Sequence, residues 1–376
     1  VDGRGGRLLA ALRLSAQGLA APVPGAVGVV ERLLAVQAQD YPAALQVVGL
    51  RGDGLTAADV TEALDAGDLV RTWPMRGTLH LIRPADLAWL LPLGRDRVHR
   101  SAAGRHRQLE LLDADFERAA EIARDRLVGG RATRAELLGA IDAAGVRTAG
   151  QRGAHLLGHL ARYGVVAQTT KDVYVGFDEV VPADEVGRNE ALARLALRYV
   201  TGHGPVTERD LAWWAGLTLT EARGALASVR DRLEVLEVDA VTYFAPPGLE
   251  PAPDGVWLLP SFDEYLLGYA DRGPQMGGEP LERVVPGRNG MFLPVVVVDG
   301  VVAGTWRRQL ARSRIEVNLQ LFTELPRRRR SELEVATAHW AEVAGVEAVL
   351  ACPPANGVPG GAGSRAVRPA SPDSAG

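Results

Sequence analysis

Apolar positions along the chain fall into three similar runs, then a fourth of different texture. The first run has helical spacing at Leu8, Leu9, Leu12 and Leu14, and again at Val29, Val30, Leu33 and Leu34. Thr56 is placed to cap a further helix, with Asp59 three residues on and Gly67 as a natural stop. Two β-like runs at 69–73 and 78–82, parted by Pro74 and Gly77, read as a hairpin. The same order recurs. Thr133 caps a helix carrying Leu137, Leu138 and Ile141; a second helix covers about 154–162, and runs at 165–168 and 173–175 flank a Lys171-Asp172 turn. The third copy has a helix over 192–200, Thr207 as cap before Leu211, Trp213 and Trp214, a helix over 220–226, and a hairpin of 233–238 with 242–244.

Short capped helices followed by a two-stranded hairpin are the order of a winged helix, a relative of the helix-turn-helix. After Pro253 the pattern changes to strands at 256–259, 291–293 and 295–298, an Asp299-Gly300 turn, a return over 301–306, and period-two alternation over 315–321. A helix over 331–343 follows the arginine run 327–330. The expected fold is mainly α with β: three tandem winged-helix domains (1–110, 111–186 and 187–252), then a small β-barrel-like domain with a final helix (253–350). The Pro-, Gly-, Ala- and Ser-rich end, 351–376, is expected to be disordered.

Composition narrows the partners. The 376 residues are 47% hydrophobic and 23% charged, enough for several buried cores. A formal net charge of −4 excludes a uniformly basic surface, so nucleic-acid binding requires arginines gathered on one face. One such concentration lies between Arg95 and Arg107, with five arginines and two histidines against Asp96; a solvated helix face is the equal alternative. The single cysteine, Cys352, rules out an internal disulfide and points to a reducing, cytoplasmic setting. No run is long enough to span a membrane, the start lacks the apolar core of a signal peptide, and no phosphate-cradling glycine loop occurs.

Several segments carry a family likeness. They are Gln37-Ala38-Gln39-Asp40, the RTWPMRGTLH stretch ending at His80, LPSFDEYLLGYADR ending at Arg272, and Asn289-Gly290 through Arg307. In order and spacing the chain resembles the azinomycin-resistance DNA glycosylase family of winged-helix DNA-binding proteins, over about residues 8–350. The resemblance implies hydrolysis of the N-glycosidic bond of N7-alkylated purines, including those in interstrand crosslinks, with a role in antibiotic self-resistance. It also implies a monofunctional hydrolase acting on duplex DNA and puts the catalytic Gln-x-Gln at Gln37 and Gln39. No cofactor or metal is expected, and three tandem units on one chain suggest a monomer. A non-catalytic DNA binder or transcription regulator is the alternative that winged helices alone would support equally.

The chemistry constrains the motif. An N7-alkylated purine is already cationic and leaves as a neutral base without an acid. Glutamine is not a base, but its carbonyl accepts a hydrogen bond from water and puts a negative dipole near the oxocarbenium-like sugar. On a helix, residues two apart point roughly 200° from each other; in extended backbone they share a side. Pro42 disfavours helix at Tyr41, so a helix is expected to end within the motif, with Gln39 at or past that end. Asp40 is a possible stronger base that its spacing does not single out.

Arg71, Arg76 and His80 are expected on the first hairpin, where a wing meets a groove or phosphate; a purely structural turn at Arg76-Gly77 is the equal alternative. Arg131, Arg134 and Arg152 are further phosphate candidates. Asp263, Glu264 and Asp271, interleaved with Phe262, Tyr265, Leu266 and Tyr269, read as a packed segment with Arg272 in an ion pair. His155 and His159, four apart without zinc-site partners, read as core or DNA-facing residues.

Overall fold

Threonine capping boxes fix several helix starts in the computed structural model, which describes residues 3–311 and 314–351. Thr56, Thr133, Thr207 and Thr218 each accept the N–H three residues on, while Asp59, Glu136, Asp210 and Glu221 reach back to the threonine N–H. Such a cap stabilises its helix by about 1 kcal/mol.

The chain opens with α1 (Gly3–Ala16), α2 (Gly25–Leu33), β1 (Ala35–Gln37), α3 (Tyr41–Gly49), α4 (Ala57–Ala66), β2 (Val70–Met75) and β3 (Thr78–Ile82), then a long helix, α5 (Pro84–Gln108). Next come α6 (Asp113–Leu127), β4 (Arg131–Thr133), α7 (Arg134–Ala143), α8 (Arg152–Arg162), β5 (Val166–Gln168), β6 (Val173–Gly176) and the short α9 (Phe177–Val180). A third group comprises α10 (Arg188–His203), α11 (Glu208–Ala215), α12 (Leu219–Ser228), β7 (Glu234–Val238) and β8 (Val241–Ala245). The remainder is β9 (Val256–Leu259), α13 (Glu264–Leu267), α14 (Gly273–Met276), β10 (Val295–Val298), β11 (Val301–Ala311), β12 (Arg314–Leu321), α15 (Arg327–Ala344) and β13 (Ala348–Leu350).

The first two hairpins do not stand apart. They join in one six-stranded sheet, ordered β1-β3-β2-β5-β6-β4, through an antiparallel contact that pairs Arg71 with Gln168. β7 and β8 form a separate two-stranded sheet. The last strands, in order β13-β12-β11-β10-β9, make an open half-barrel where a small β-barrel-like domain was expected, with β9 and β13 at opposite edges. α15 covers this sheet through Trp340, which meets Trp306 edge-on at 5.0 Å.

Other details depart from the sequence reading. Residues 291–293 are not a strand: Phe292 turns into the core, the Leu293 N–H bonds to the Val284 carbonyl, and the strand begins only after Pro294. Pro74 lies inside β2 instead of ending it, and the ladder is irregular between Thr72 and Met75, which spares the missing N–H. The arginine run belongs to α15 itself. Residues 353–376 and Cys352 lie outside the described residues. Among the described residues no helix is long and apolar enough to cross a membrane.

Buried polar side chains tie the N-terminal helix to the C-terminal part. Arg13, fully buried, donates to the Pro205 carbonyl at 3.0 Å and to Gln275 Oε1 at 2.7 Å, with Asp210 3.7 Å away. Arg51 grips Asp263 through two nitrogens, at 2.9 and 2.7 Å, and also donates to Gln17 Oε1 at 2.7 Å. Desolvated ions survive only when paired in this way, here with Arg13 Nη2 and Arg51 Nε making no hydrogen bond among the described residues. The arginine-rich stretch of α5 is in part a joint as well, since Arg97 bonds to the Gly216 carbonyl and to Glu221 at 2.8 Å.

Candidate active site

Gln37 ends β1, and the extended backbone carries on through Ala38, whose N–H bonds to the Leu79 carbonyl at 2.7 Å. The helix before the motif, α2, has already ended at Leu33, so Gln39 lies well past a helix end. Pro42 starts a helix here rather than stopping one, because it occupies the first turn of α3, where its missing N–H is harmless. Gln37 is half-buried and Gln39 is exposed. The Gln39 side-chain oxygen lies 3.5 Å from the Leu79 N–H. Asp40 is engaged locally: one oxygen caps α3 at Ala43 N and the other accepts from Ser261 Oγ, both at 3.2 Å.

Glu264 lies directly behind the motif. This carboxylate is fully buried; Oε1 accepts the Gln37 main-chain N–H at 2.9 Å and Oε2 the Trp214 indole N–H at 3.2 Å, with His203 Nε2 3.6 Å away. Burial alone would raise its pKa, but His203 and the Gln37 N–H outweigh that and hold it at about 2. The segment around Glu264 is therefore more than packing. Among the described residues Arg272 makes no ion pair of the kind expected. Instead it donates to the Leu266 carbonyl at 2.7 Å and stands over the Trp213 ring at 4.7 Å.

On the first hairpin, Arg76 and Gly77 both have positive φ, 52° and 76°, as a two-residue turn of the right hand for a twisted ribbon requires. The turn is docked, with the Arg76 guanidinium 4.6 Å from the Trp213 ring centre. Arg71 and His80 do not face outward as expected. Arg71 is buried and clamps the Ala38 carbonyl through Nε (3.0 Å) and Nη2 (2.9 Å), while Nη1 donates to Gln168. His80 is fully buried, its Nδ1 3.0 Å from the Thr78 carbonyl; burial and the charge of Arg76 pull its pKa down to about 4. Arg152 is buried too, bonding to the Arg147 and Glu110 carbonyls at 2.7 and 2.8 Å. The common physical reason is that a guanidinium placed at a joint meets several carbonyls at once, which the sequence pattern does not reveal. Arg131 is exposed and reaches the Asp65 carbonyl at 3.2 Å, and Arg134, half-exposed, opens α7.

Two features escaped the sequence reading. The hairpin β11–β12 exposes Arg307, Arg308 and Arg314, and Arg308 borders the cleft that Asp40 and Ser261 line. Its signal in the sequence is the arginines at 307, 308, 312 and 314, between the two strands read at 301–306 and 315–321. The second is a histidine cluster: His99, His106, His155 and His159 pack together, with His159 stacked against Phe116 at 4.2 Å and Tyr163 at 4.3 Å. Among the described residues no group of three or more such side chains is placed to hold a metal ion.

This fold is shared with a known protein. Residues 30–343 match the family described as DNA glycosylase AlkZ-like, and the chain belongs to that family. It is 28% identical over 315 residues to the interstrand DNA cross-link repair glycosylase of Streptomyces sahachiroi, a match covering 75% of this chain and 82% of that protein. The solved structure of Streptomyces sahachiroi DNA glycosylase AlkZ superposes with a TM-score of 0.77 at 26% identity, over 92% of this chain and 99% of that one.

Proposed function

We propose that this protein is a monofunctional glycosylase that hydrolyses the N-glycosidic bond of N7-alkylated purines in duplex DNA, azinomycin-type crosslinks included, with Gln37 and Gln39 as its catalytic residues. The observation that carries the reading is that no nearby group is poised to protonate a leaving base. Glu264 is fully buried with both oxygens engaged, Asp40 is occupied as a cap, and burial keeps the neighbouring His80 neutral. Two amide carbonyls can hold a water and stabilise developing positive charge on the sugar, but neither protonates a leaving group. Such a site serves a base that is already cationic. Water is the nucleophile, so the products are a free base and an abasic site.

In the winged-helix reading the domains run 1–110, 111–186, 187–252 and 253–350, and the second helix of each helix-turn-helix would be α4, α8 and α12. α4 carries no basic residue, most of α8 is buried, and the Arg223 of α12 is paired with Glu208 at 2.7 Å. That charge distribution disfavours a regulator reading base edges in the major groove. Arg131, Arg134, Arg307, Arg308 and Arg314 are better placed to meet phosphates, on a single chain acting as a monomer. The outward faces of Arg71, Arg76, His80 and Arg152 are too small to contribute much.

The test is base release from duplexes carrying N7-methylguanine or an azinomycin crosslink, by wild type and by a Gln37→Ala/Gln39→Ala variant. Wild-type release that the double variant lacks, at nearly unchanged DNA affinity, supports the enzyme. No release by wild type returns the regulator to first place.

A further inference from the structure

His80 faces Gln37 across the sheet. The two are register partners of β1 and β3, and His80 in turn pairs with Thr72 on β2, so all three side chains share one face. Cβ atoms of such partners are about 5 Å apart. Nδ1 of His80 lies 3.0 Å from the Thr78 carbonyl, which cannot donate, so the proton sits on Nδ1 and Nε2 bears a lone pair. That Nε2 is buried and makes no hydrogen bond among the described residues, and none of them bonds the side-chain amide of Gln37. The charged groups around the ring are Arg76, from the β2–β3 turn, and Glu264, from α13. Burial and Arg76 keep the imidazole neutral at physiological pH.

We infer that in the DNA-bound protein His80 is a positioning residue, whose Nε2, without a hydrogen-bond partner among the described residues here, takes up a hydrogen bond from the Gln37 side-chain amide and thereby turns the Gln37 carbonyl toward the water and the sugar. A glutamine amide has nearly the same shape either way round, so only its neighbours decide which end faces the substrate. A neutral ring with a fixed lone pair attracts the NH2 end and repels the oxygen. Glu264 fixes the main chain of the same residue from behind, and His80 settles which way round the side-chain amide lies. This inference rests on the reading of Gln37 as catalytic given above.

The experiment is a double-mutant cycle of His80→Phe and Gln37→Ala, read by single-turnover base release from an N7-methylguanine duplex, with DNA affinity and melting temperature measured alongside. His80→Phe keeps the ring volume and removes the acceptor. Expected is a loss in rate on the order of 10- to 100-fold at unchanged affinity, and no further loss when the change is added to Gln37→Ala. Equal losses in both backgrounds overturn the inference, because His80 would then not act through Gln37. A second readout needs neither the variant's folding nor turnover: 15N NMR of wild-type protein bound to the same duplex. The Nε2 resonance of His80 is expected to carry a hydrogen-bond shift that Gln37→Ala removes; an Nε2 indifferent to Gln37 overturns the inference. If wild type releases no base while the NMR coupling is present, the catalytic reading fails and the contact stands.

Discussion

Gln37 and Glu264 stand 227 residues apart in the chain, yet the main-chain N–H of the first donates to the carboxylate of the second at 2.9 Å. The bond ties a strand of the N-terminal part to the segment just before the half-barrel. Replacing Glu264 by Ala strips a partner from Gln37, Trp214 and His203 together. Loss of one partner from a buried charged network costs about 3–5 kcal/mol. Glu264→Ala is therefore expected to lower stability in urea unfolding by that order, and Glu264→Gln, which keeps an acceptor, by less. Equal stability of all three proteins would show that the carboxylate is dispensable.

Arg71 distinguishes a clamp from a phosphate contact. Its two bonds to the Ala38 carbonyl hold the residue between the two glutamines. Arg71→Ala is expected to slow base release on the order of 10-fold or more while leaving the salt dependence of DNA binding as it was. A phosphate contact would instead reduce the slope of log affinity against log salt by about one.

Asp40 adjoins Gln39 and is the carboxylate a chemist would first suspect as a base. Because its oxygens serve Ala43 and Ser261, Asp40→Asn, which still caps, is expected to keep base release within about twofold, and Asp40→Ala to cost about 1 kcal/mol in stability. Loss of release in Asp40→Asn at unchanged DNA affinity would transfer the role of base to Asp40.

Acid sensitivity follows from the histidines. Burial holds His80 and His106 at about 4 and His159 at about 3, with His155 also lowered. The unfolded chain takes up these protons near pH 6.5, well before the folded protein does. Their contribution is fully present above that pH and is lost as pH falls toward 4, by up to about 1.4 kcal/mol per pH unit for each proton. Glu264 acts in the same sense lower down, between its ordinary range and about 2. Tm measured from pH 8 to 4 is expected to fall with a slope that His159→Phe reduces. A flat profile would mean that the cluster protonates without strain.

Much of this was legible in the sequence because local chemistry decides it. Thr56, Thr133 and Thr207 announce helix starts through bonds spanning three residues, and the Asp299-Gly300 turn needs only its own backbone. The open half-barrel was harder, since no strand pattern says whether its edges meet. Least legible were residues whose partners are distant. Arg71 looked like a wing arginine because nothing near it in sequence points to Ala38 or Gln168, and Glu264 looked like one acid among several. The extended course of the Gln37–Gln39 segment was expected only once the resemblance made both glutamines catalytic and so required them to share a side, and Pro42, read as ending a helix, begins one.

Arg13 has its partners 192 residues downstream at Pro205 and 262 downstream at Gln275. On the ribosome, α1 thus emerges long before anything it can bond to, and a desolvated arginine cannot wait in a finished core. A helix made this early must be among the last to dock, and until it does Gln17 lacks the Glu264 carbonyl on which it closes. A chain cut short anywhere between Gln39 and Glu264 carries both glutamines and no assembled site. Synthesis itself thus withholds the site until the segment from Glu264 to Gln275 is made.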